Sequence, residues 1–335
     1  MRRYDNLQKY NLPYPEAVFD VNFYRQNPYP FQSLAKEIWP GTAGHSPTVA
    51  HCFVKLLESK GLLLRNYTQN IDGLEVLAGV HPSKVLECHG HFRNAHCIDC
   101  RIPFDGEACK TLMLYDNHDS DESDQESDSE HQQNQSYLPY GRFPQVPSRA
   151  RTKPPPTCPA CGGYVKPSIV FFGEGLPPEF AQNINRDLAQ CDLLIVMGTS
   201  LKVQPVSLIP EILPSNVPRV LFNRELVGDF MVPDMSDDDQ DSDFICRDVF
   251  EPGDCDDSVR KLCRLAGWEA ELDRLHEESR QRVQLEALEH ASRSSTSSCS
   301  SSRDGDSVSE RQQGNIRISD FRAAIQEKED LMAND

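Results

Sequence analysis

The sequence predicts an α/β chain: a parallel sheet with helices on both faces and a small zinc module beside it. Three observations predict it. Short, wholly apolar runs alternate with amphipathic helical stretches, as in a sheet covered on both sides. Several of those runs end in polar clusters, and in open α/β sheets ligands bind at the carboxyl ends of strands. Two knuckles, Cys97-x-x-Cys100 and Cys158-x-x-Cys161, have the spacing at which thiolate pairs grip a tetrahedral Zn²⁺. Four thiolates leave no open position on the ion, so the site is read as structural, with one ion. Gly162 and Gly163 let the chain turn behind it.

The elements follow in order. Residues 13–60 read as helical, with Ser46 and Pro47 as N-cap and first helical position, and Val49, Phe53, Leu56 and Leu57 on one apolar face. Leu62-Leu63-Leu64 runs into Asn66 to Asp72 as a buried strand with a polar end. Residues 91–166 hold both cysteine pairs, 57 residues apart, with an acidic insertion at 115–136 and a proline-rich segment, Lys153 to Pro156. Ile169 to Phe172, Leu193 to Met197 and Arg219 to Phe222 read as further strands, and Pro177 to Gln190 as a helix. Residues 258–290 look helical, and the serine-rich stretch Ser292 to Gln313 reads as disordered. The expected division is a sheet domain at 1–90 and 167–272, a zinc module at 91–166, an acidic loop at 229–243 and a largely disordered tail at 273–335.

Charge excludes some functions. The formal net charge of −18 is concentrated in two runs, Asp116 to Glu130 with eight acids and Asp229 to Asp243 with seven, neither containing Lys or Arg. Both read as solvated loops, and the balance opposes a basic nucleic-acid face, including a zinc-ribbon nucleic-acid module. No apolar stretch approaches the length of a membrane span, and no secretory signal is legible. Twelve cysteines without such a signal fit a reducing compartment with thiolate metal binding better than a disulfide framework.

The candidate site is a set of strand ends. Thr68-Gln69-Asn70-Ile71-Asp72, Gly198-Thr199-Ser200 and Asn223-Arg224-Glu225 offer close backbone approach, hydroxyls, and groups able to grip ribose hydroxyls. Each alone is an ordinary turn; three in one chain point to a nucleotide-like cofactor. His89, in Glu87-Cys88-His89-Gly90, is the natural general base near neutral pH, although a lone histidine is more often structural.

The motifs Thr68 to Asp72, His89-Gly90, the two cysteine pairs, Lys166-Pro167 with Ile169 to Glu174, and Gly198-Thr199-Ser200-Leu201 occur in this order in the sirtuin family of NAD-dependent protein deacylases, which this chain resembles from Tyr4 to Leu272. Tyr4-Asp5-Asn6-Leu7 and Leu12 to Ala17 resemble the sirtuin-2 and sirtuin-3 subgroup, and Gly253-Asp254-Cys255 and Gly267-Trp268 its sirtuin-2 side. The resemblance implies a Rossmann-like domain, a zinc-ribbon domain and NAD in the cleft between them. Gln69, Asn70, Ile71 and Asp72 would surround the nicotinamide and its ribose, Gly198, Thr199 and Ser200 the adenosine side, Asn223, Arg224 and Glu225 its ribose, and Cys255 the adenine. Val170, Phe171, Phe172, Gly173 and Glu174 would pair with an acetylated peptide, with the acyl-lysine beside Phe92 and Phe171.

The implied reaction moves the acetyl group from lysine to ADP-ribose and releases nicotinamide. His89 would be its general base, and Asn70 and Asp72 would assist at the ribose. Acetylated proteins of histone or tubulin type would be partners, with neither nucleic acid nor membrane, in cytoplasm or nucleus, with mitochondria second. The strand, glycine-rich phosphate loop and Asp-Phe-Arg segment that open the family pattern are not in this chain. The expectation is an N-terminally incomplete sequence with an exposed sheet edge. A zinc-containing peptide binder with impaired NAD binding is the competing reading.

Overall fold

The computed structural model describes residues 12–40, 45–114, 155–231 and 247–296. The first acidic run, residues 232–243 of the second, Tyr4 to Leu7 and the chain after 296 lie outside the described residues.

Helices α1 (Val21–Gln26) and α2 (Tyr29–Ile38) open the fold. Asp20 starts α1 by accepting the N–H groups of Asn22 and Phe23 at 2.8 and 2.9 Å. Helix α3 (Val49–Ser59) begins two residues later than Ser46-Pro47 suggests. Thr48 is its N-cap, because His51 at the third position returns Nδ1 to the Thr48 N–H at 3.2 Å. The three leucines that follow are not strand. The N–H groups of Leu62 and Leu63 close the end of α3 on the Leu57 carbonyl, and Leu62 is 60% exposed. Only β1 (Asn66–Thr68) is extended, and it pairs in parallel with β2 (Val85–Glu87) beyond the short helix α4 (Leu74–Leu77).

The zinc module is an antiparallel sheet in the order β4-β3-β5, from β3 (Gly90–Cys97), β4 (Pro103–Asp105) and β5 (Val165–Ile169), with helix α5 (Gly106–Leu114). The sequence reading placed residues 1–90 with the larger sheet, but α1 and α2 pack on this module. Tyr24, Phe31 and Trp39 are buried in one core with Phe92, Cys109, Met113 and Phe171. The cause is the aromatic face of α2: the Phe31 and Phe171 rings meet edge-on at 5.0 Å, and Trp39 lies 4.7 Å from Phe92.

The second parallel sheet has the order β6-β7-β8, from β6 (Leu194–Met197), β7 (Arg219–Asn223) and β8 (Asp248–Pro252). Helix α6 (Pro178–Gln190) precedes it, and the short α7 (Ile209–Ile212) lies between β6 and β7. Strand β8 was not anticipated, since Asp-Val-Phe-Glu-Pro carries little apolar signal. A buried cation holds it. Arg219 donates to Asp248 and Asp229 and lies 4.6 Å over the Phe230 ring.

The expected helix over 258–290 is two helices, α8 (Cys255–Ala266) and α9 (Glu269–Thr296), broken at Gly267 with φ +72°. The tail expected to be largely disordered from 273 is therefore helical as far as Thr296. It is held because Leu272 and Leu275 join Cys52, Phe53 and Leu56 of α3 in a second core. Leu272 is fully buried. Leu272→Ala is expected to destabilise the protein by about 2–5 kcal/mol through lost burial and a residual cavity. Urea-unfolding midpoints of the two proteins check it; an unchanged midpoint would show that α9 does not dock on α3.

Candidate active site

Gln69 joins the two halves of the candidate site. Its backbone carbonyl accepts from His89 Nδ1 at 2.9 Å. A carbonyl only accepts, so Nδ1 carries the proton and Nε2 keeps its lone pair. Its side-chain Oε1 accepts from Thr199 Oγ1 at 2.9 Å, which ties the end of β1 to the end of β6. Burial lowers the pKa of His89 below the ordinary histidine value, and the bond to Gln69 opposes that only in part. Burial thereby favours the neutral imidazole.

The second and third strand ends meet there too. Asn223 Nδ2 donates to the Thr199 carbonyl at 3.2 Å and to the Glu225 carbonyl at 2.9 Å. Gly198 donates its N–H to the Phe222 carbonyl, and the Cys255 thiol donates to the same oxygen at 3.3 Å. A side chain at Gly198, whose φ is +61°, would crowd Cys255 Sγ at 3.4 Å. Ser200 and Glu225 are exposed, and their side chains have no hydrogen-bond partner among the described residues. A hydroxyl and a carboxylate left free beside a glycine suit a ribose. Arg224 instead forms an ion pair with Asp254. Asn70 is exposed, with its N–H on Thr68 Oγ1, while Asp72 is half-buried and accepts from Leu74 N at 3.2 Å. Ile71 packs against the zinc-module core.

The segment Val170 to Glu174 is held from behind by Lys166 and Glu174, two charged residues whose structural part the sequence did not reveal. Lys166 is fully buried on β5. Its Nζ donates to Glu174 at 2.8 Å and to the Ile169 carbonyl at 2.5 Å, and lies 4.3 Å over the Phe171 ring. Glu174 also accepts the Phe171 N–H at 2.9 Å and pairs with Arg101 at 3.0 Å. Burial alone would raise the Glu174 carboxyl, but His96, Lys166 and the Phe171 N–H together hold it well below the usual carboxylate range. The N–H groups of Val170, Phe171, Phe172 and Glu174 are all used within the chain. Edge pairing with a peptide is left to the Gly173 N–H and to carbonyls. Phe92 and Phe171 are closed into the core, whereas Phe172 is 49% exposed. A Cβ on Gly90 would lie 2.0 Å from the Ser168 carbonyl, so only glycine lets β3 and β5 meet beside His89.

The four cysteines converge. All four Sγ atoms lie within 4.8 Å of one another, with Cys97 and Cys161 at 3.5 Å and Cys100 and Cys158 at 3.6 Å. Zn–S bonds of about 2.3 Å in a tetrahedron put sulfurs roughly 3.8 Å apart, so the set fits one Zn²⁺. A Cβ at Gly163 would lie 3.0 Å from Cys97 Sγ, which explains the glycine behind the second pair. Cys97 and Cys158 are buried and Cys100 and Cys161 exposed, so a chelator has access from one side. The purified protein is expected to carry about one equivalent of zinc. Removal should melt the β3-β4-β5 module, since structural zinc contributes roughly 10–16 kcal/mol in small modules. Metal analysis with near-ultraviolet circular dichroism checks it; an unchanged spectrum after complete zinc removal would show that the ion is dispensable for the fold.

The Sir2 family pattern matches residues 3–205. The chain is 39% identical over 272 residues to the NAD-dependent protein deacetylase hst2 of Schizosaccharomyces pombe, covering 81% of this chain and 67% of that protein. It is 39% identical over 279 residues to the NAD-dependent protein deacetylase sirtuin-2 of Danio rerio, covering 81% and 63%. It is 40% identical over 269 residues to the NAD-dependent protein deacetylase sirtuin-3 of Mus musculus, covering 80% and 66%. The chain thus spans about two thirds of the length of these relatives. A profile match over more than half the sequence, on a fold that gathers the strand ends, His89 and the four cysteines as described, is decisive: the chain belongs to the Sir2 family.

Proposed function

We propose that the chain is an NAD-dependent protein-lysine deacetylase, transferring acetyl from lysine to ADP-ribose with release of nicotinamide. One observation carries the reading: the Gln69 carbonyl leaves His89 Nε2 free as a proton acceptor where β1, β2 and β6 end. NAD, when bound, supplies the acceptor for the acetyl group. Ser200, Asn223 and Glu225 would hold its adenosine end, and Asn70 and Asp72 the nicotinamide end. His89 Nε2 would take the proton from a ribose hydroxyl, and the half-buried Asp72 carboxylate would favour positive charge at the reacting centre. Zinc has no open position in a Cys₄ set and supports the cleft without joining the chemistry. The partners are acetylated proteins, read through Gly173 and its neighbours. The reading as a cytoplasmic or nuclear enzyme, with mitochondria second, rests on twelve cysteines of which four form a thiolate metal set, a usage that fits a reducing compartment.

Nicotinamide release from NAD with an acetylated peptide tests the proposal. His89→Ala should cost roughly 10²–10⁴-fold in deacetylation. The His89 pKa is lowered and the neutral form is the active one, so kcat/KM should rise with pH along an acid limb whose midpoint lies below about 6.5, the ordinary histidine value. Peptide-dependent turnover that survives in the alanine variant, or an acid limb centred above that value, would contradict the assigned base.

A further inference from the structure

A cavity of about 460 Å³ opens on the flank of the candidate peptide segment, between β2, β3 and the turn from Glu174 to Glu179. None of the cofactor-site residues named above lines it. Its floor includes Leu86 and Ile169, and one wall is Leu176, Pro177 and Pro178. It touches the same backbone, Val170 and Glu174, along which a substrate peptide would run.

Its polar groups are unevenly satisfied. Glu87 and Arg93 neutralise each other in a two-pronged pair, and Glu174 is shared by Arg101 and Lys166. Two groups on the wall are left over. Glu179 is exposed, and its carboxylate has no ion-pair partner among the described residues. His91 Nδ1 is buried without a hydrogen-bond partner. An orphaned nitrogen of this kind is costly unless something arrives to meet it. Desolvation first and Arg93 second depress the His91 pKa, while Glu87 and Glu179 pull it up.

We propose that this cavity is a subsite for the cationic side chain, lysine or arginine, of a substrate residue flanking the acetyl-lysine. The apolar wall suits the methylene stem of such a side chain, and the Glu179 carboxylate accepts from its head beside the His91 ring. The net charge of −18 draws basic peptides in the same direction. The proposal rests on the deacetylase reading and gives that same peptide site a chemical preference.

The test measures binding, not turnover. Fluorescein-labelled acetyl-lysine peptides, differing only by Lys, Gln or Glu at each flanking position, are titrated with the full chain by anisotropy. Unacetylated counterparts serve as controls. At one position Lys should bind roughly two- to fivefold tighter than Gln, the range for a screened pair, and Glu weaker. Glu179→Gln, at an exposed position, should bring the Lys-to-Gln ratio to about 1. Glu179→Lys should favour the Glu peptide, and His91→Ala should reduce the preference. Acetyl-dependent binding with no charge preference, or a preference that persists in Glu179→Gln, would overturn the subsite alone. Binding indifferent to the acetyl group would overturn the deacetylase reading and the subsite with it.

Discussion

The structure depends on the ladder between β3 and β5, and the ladder depends on the four thiolates. Strand β3 carries Gly90 at one end and Cys97 at the other, and each pairs with β5, opposite Ile169 and Val165. At about 3.3 Å per residue, its eight residues span roughly 20–25 Å. Metal and base are thus far apart but share one rigid ruler. The ladder is not regular: its register shifts between Gly90 and Ala95, where Gly90 must approach the Ser168 carbonyl closely. A local distortion beside His89 is tolerable because the other end is held by a metal set. The four-cysteine set thus braces the far end of the strand that begins beside His89.

The second constraint is electrostatic. Lys166 and Glu174 sit behind the peptide segment with almost no solvent access. Taking two charges out of water costs several kcal/mol, and an apolar pair of similar volume often serves stability as well. Stability is therefore a weak reason for the pair. Its geometry supplies a better one. The carboxylate takes the Phe171 N–H, the ammonium takes the Ile169 carbonyl, and the ring of Phe171 lies under the charge. Leucine or methionine could do none of these. The pair specifies one backbone path from Ile169 to Glu174.

How much of this was legible depended on the range of the interaction that decides it. The cysteine pairs and the strand-end clusters are local patterns, and the fold gathers them as their spacing implied. The domain boundary was not legible, because the aromatic face of α2 fits either sheet in sequence terms; Phe171, 140 positions from Phe31, and Phe92 against Trp39 assign it to the zinc module. The leucine run misled for a related reason. Three apolar residues resemble a strand, but Gly61 with φ +70° turns them back onto α3. Strand β8 has little apolar signal and is fixed by Asp248 on Arg219, a long-range pair that no periodicity records. The ordered tail follows the same rule, since Leu272 and Leu275 acquire meaning only against α3.

Gln69 shows what residue type accomplishes at a seam. The aromatic core of the zinc side and the α3–α9 core share no buried residue, and the candidate site lies where their elements approach. Hydrogen bonds there add direction to the apolar packing of Leu86, Cys88, Tyr67 and Leu194. The Thr199 hydroxyl accepts the Leu201 N–H and so has its proton free for Gln69 Oε1, which must therefore be an acceptor. Glutamate would also accept, but it would bring a second carboxylate close to Asp72 and lose the amide donors. Leucine would fill the space and leave the Thr199 hydroxyl proton without its acceptor. The Gln69 backbone meanwhile fixes which nitrogen of His89 holds the proton. One residue thus sets the tautomer of the base through its main chain and the position of the β6 end through its side chain. Gln69 thus links the strand end that carries Thr199 to His89 by two hydrogen bonds.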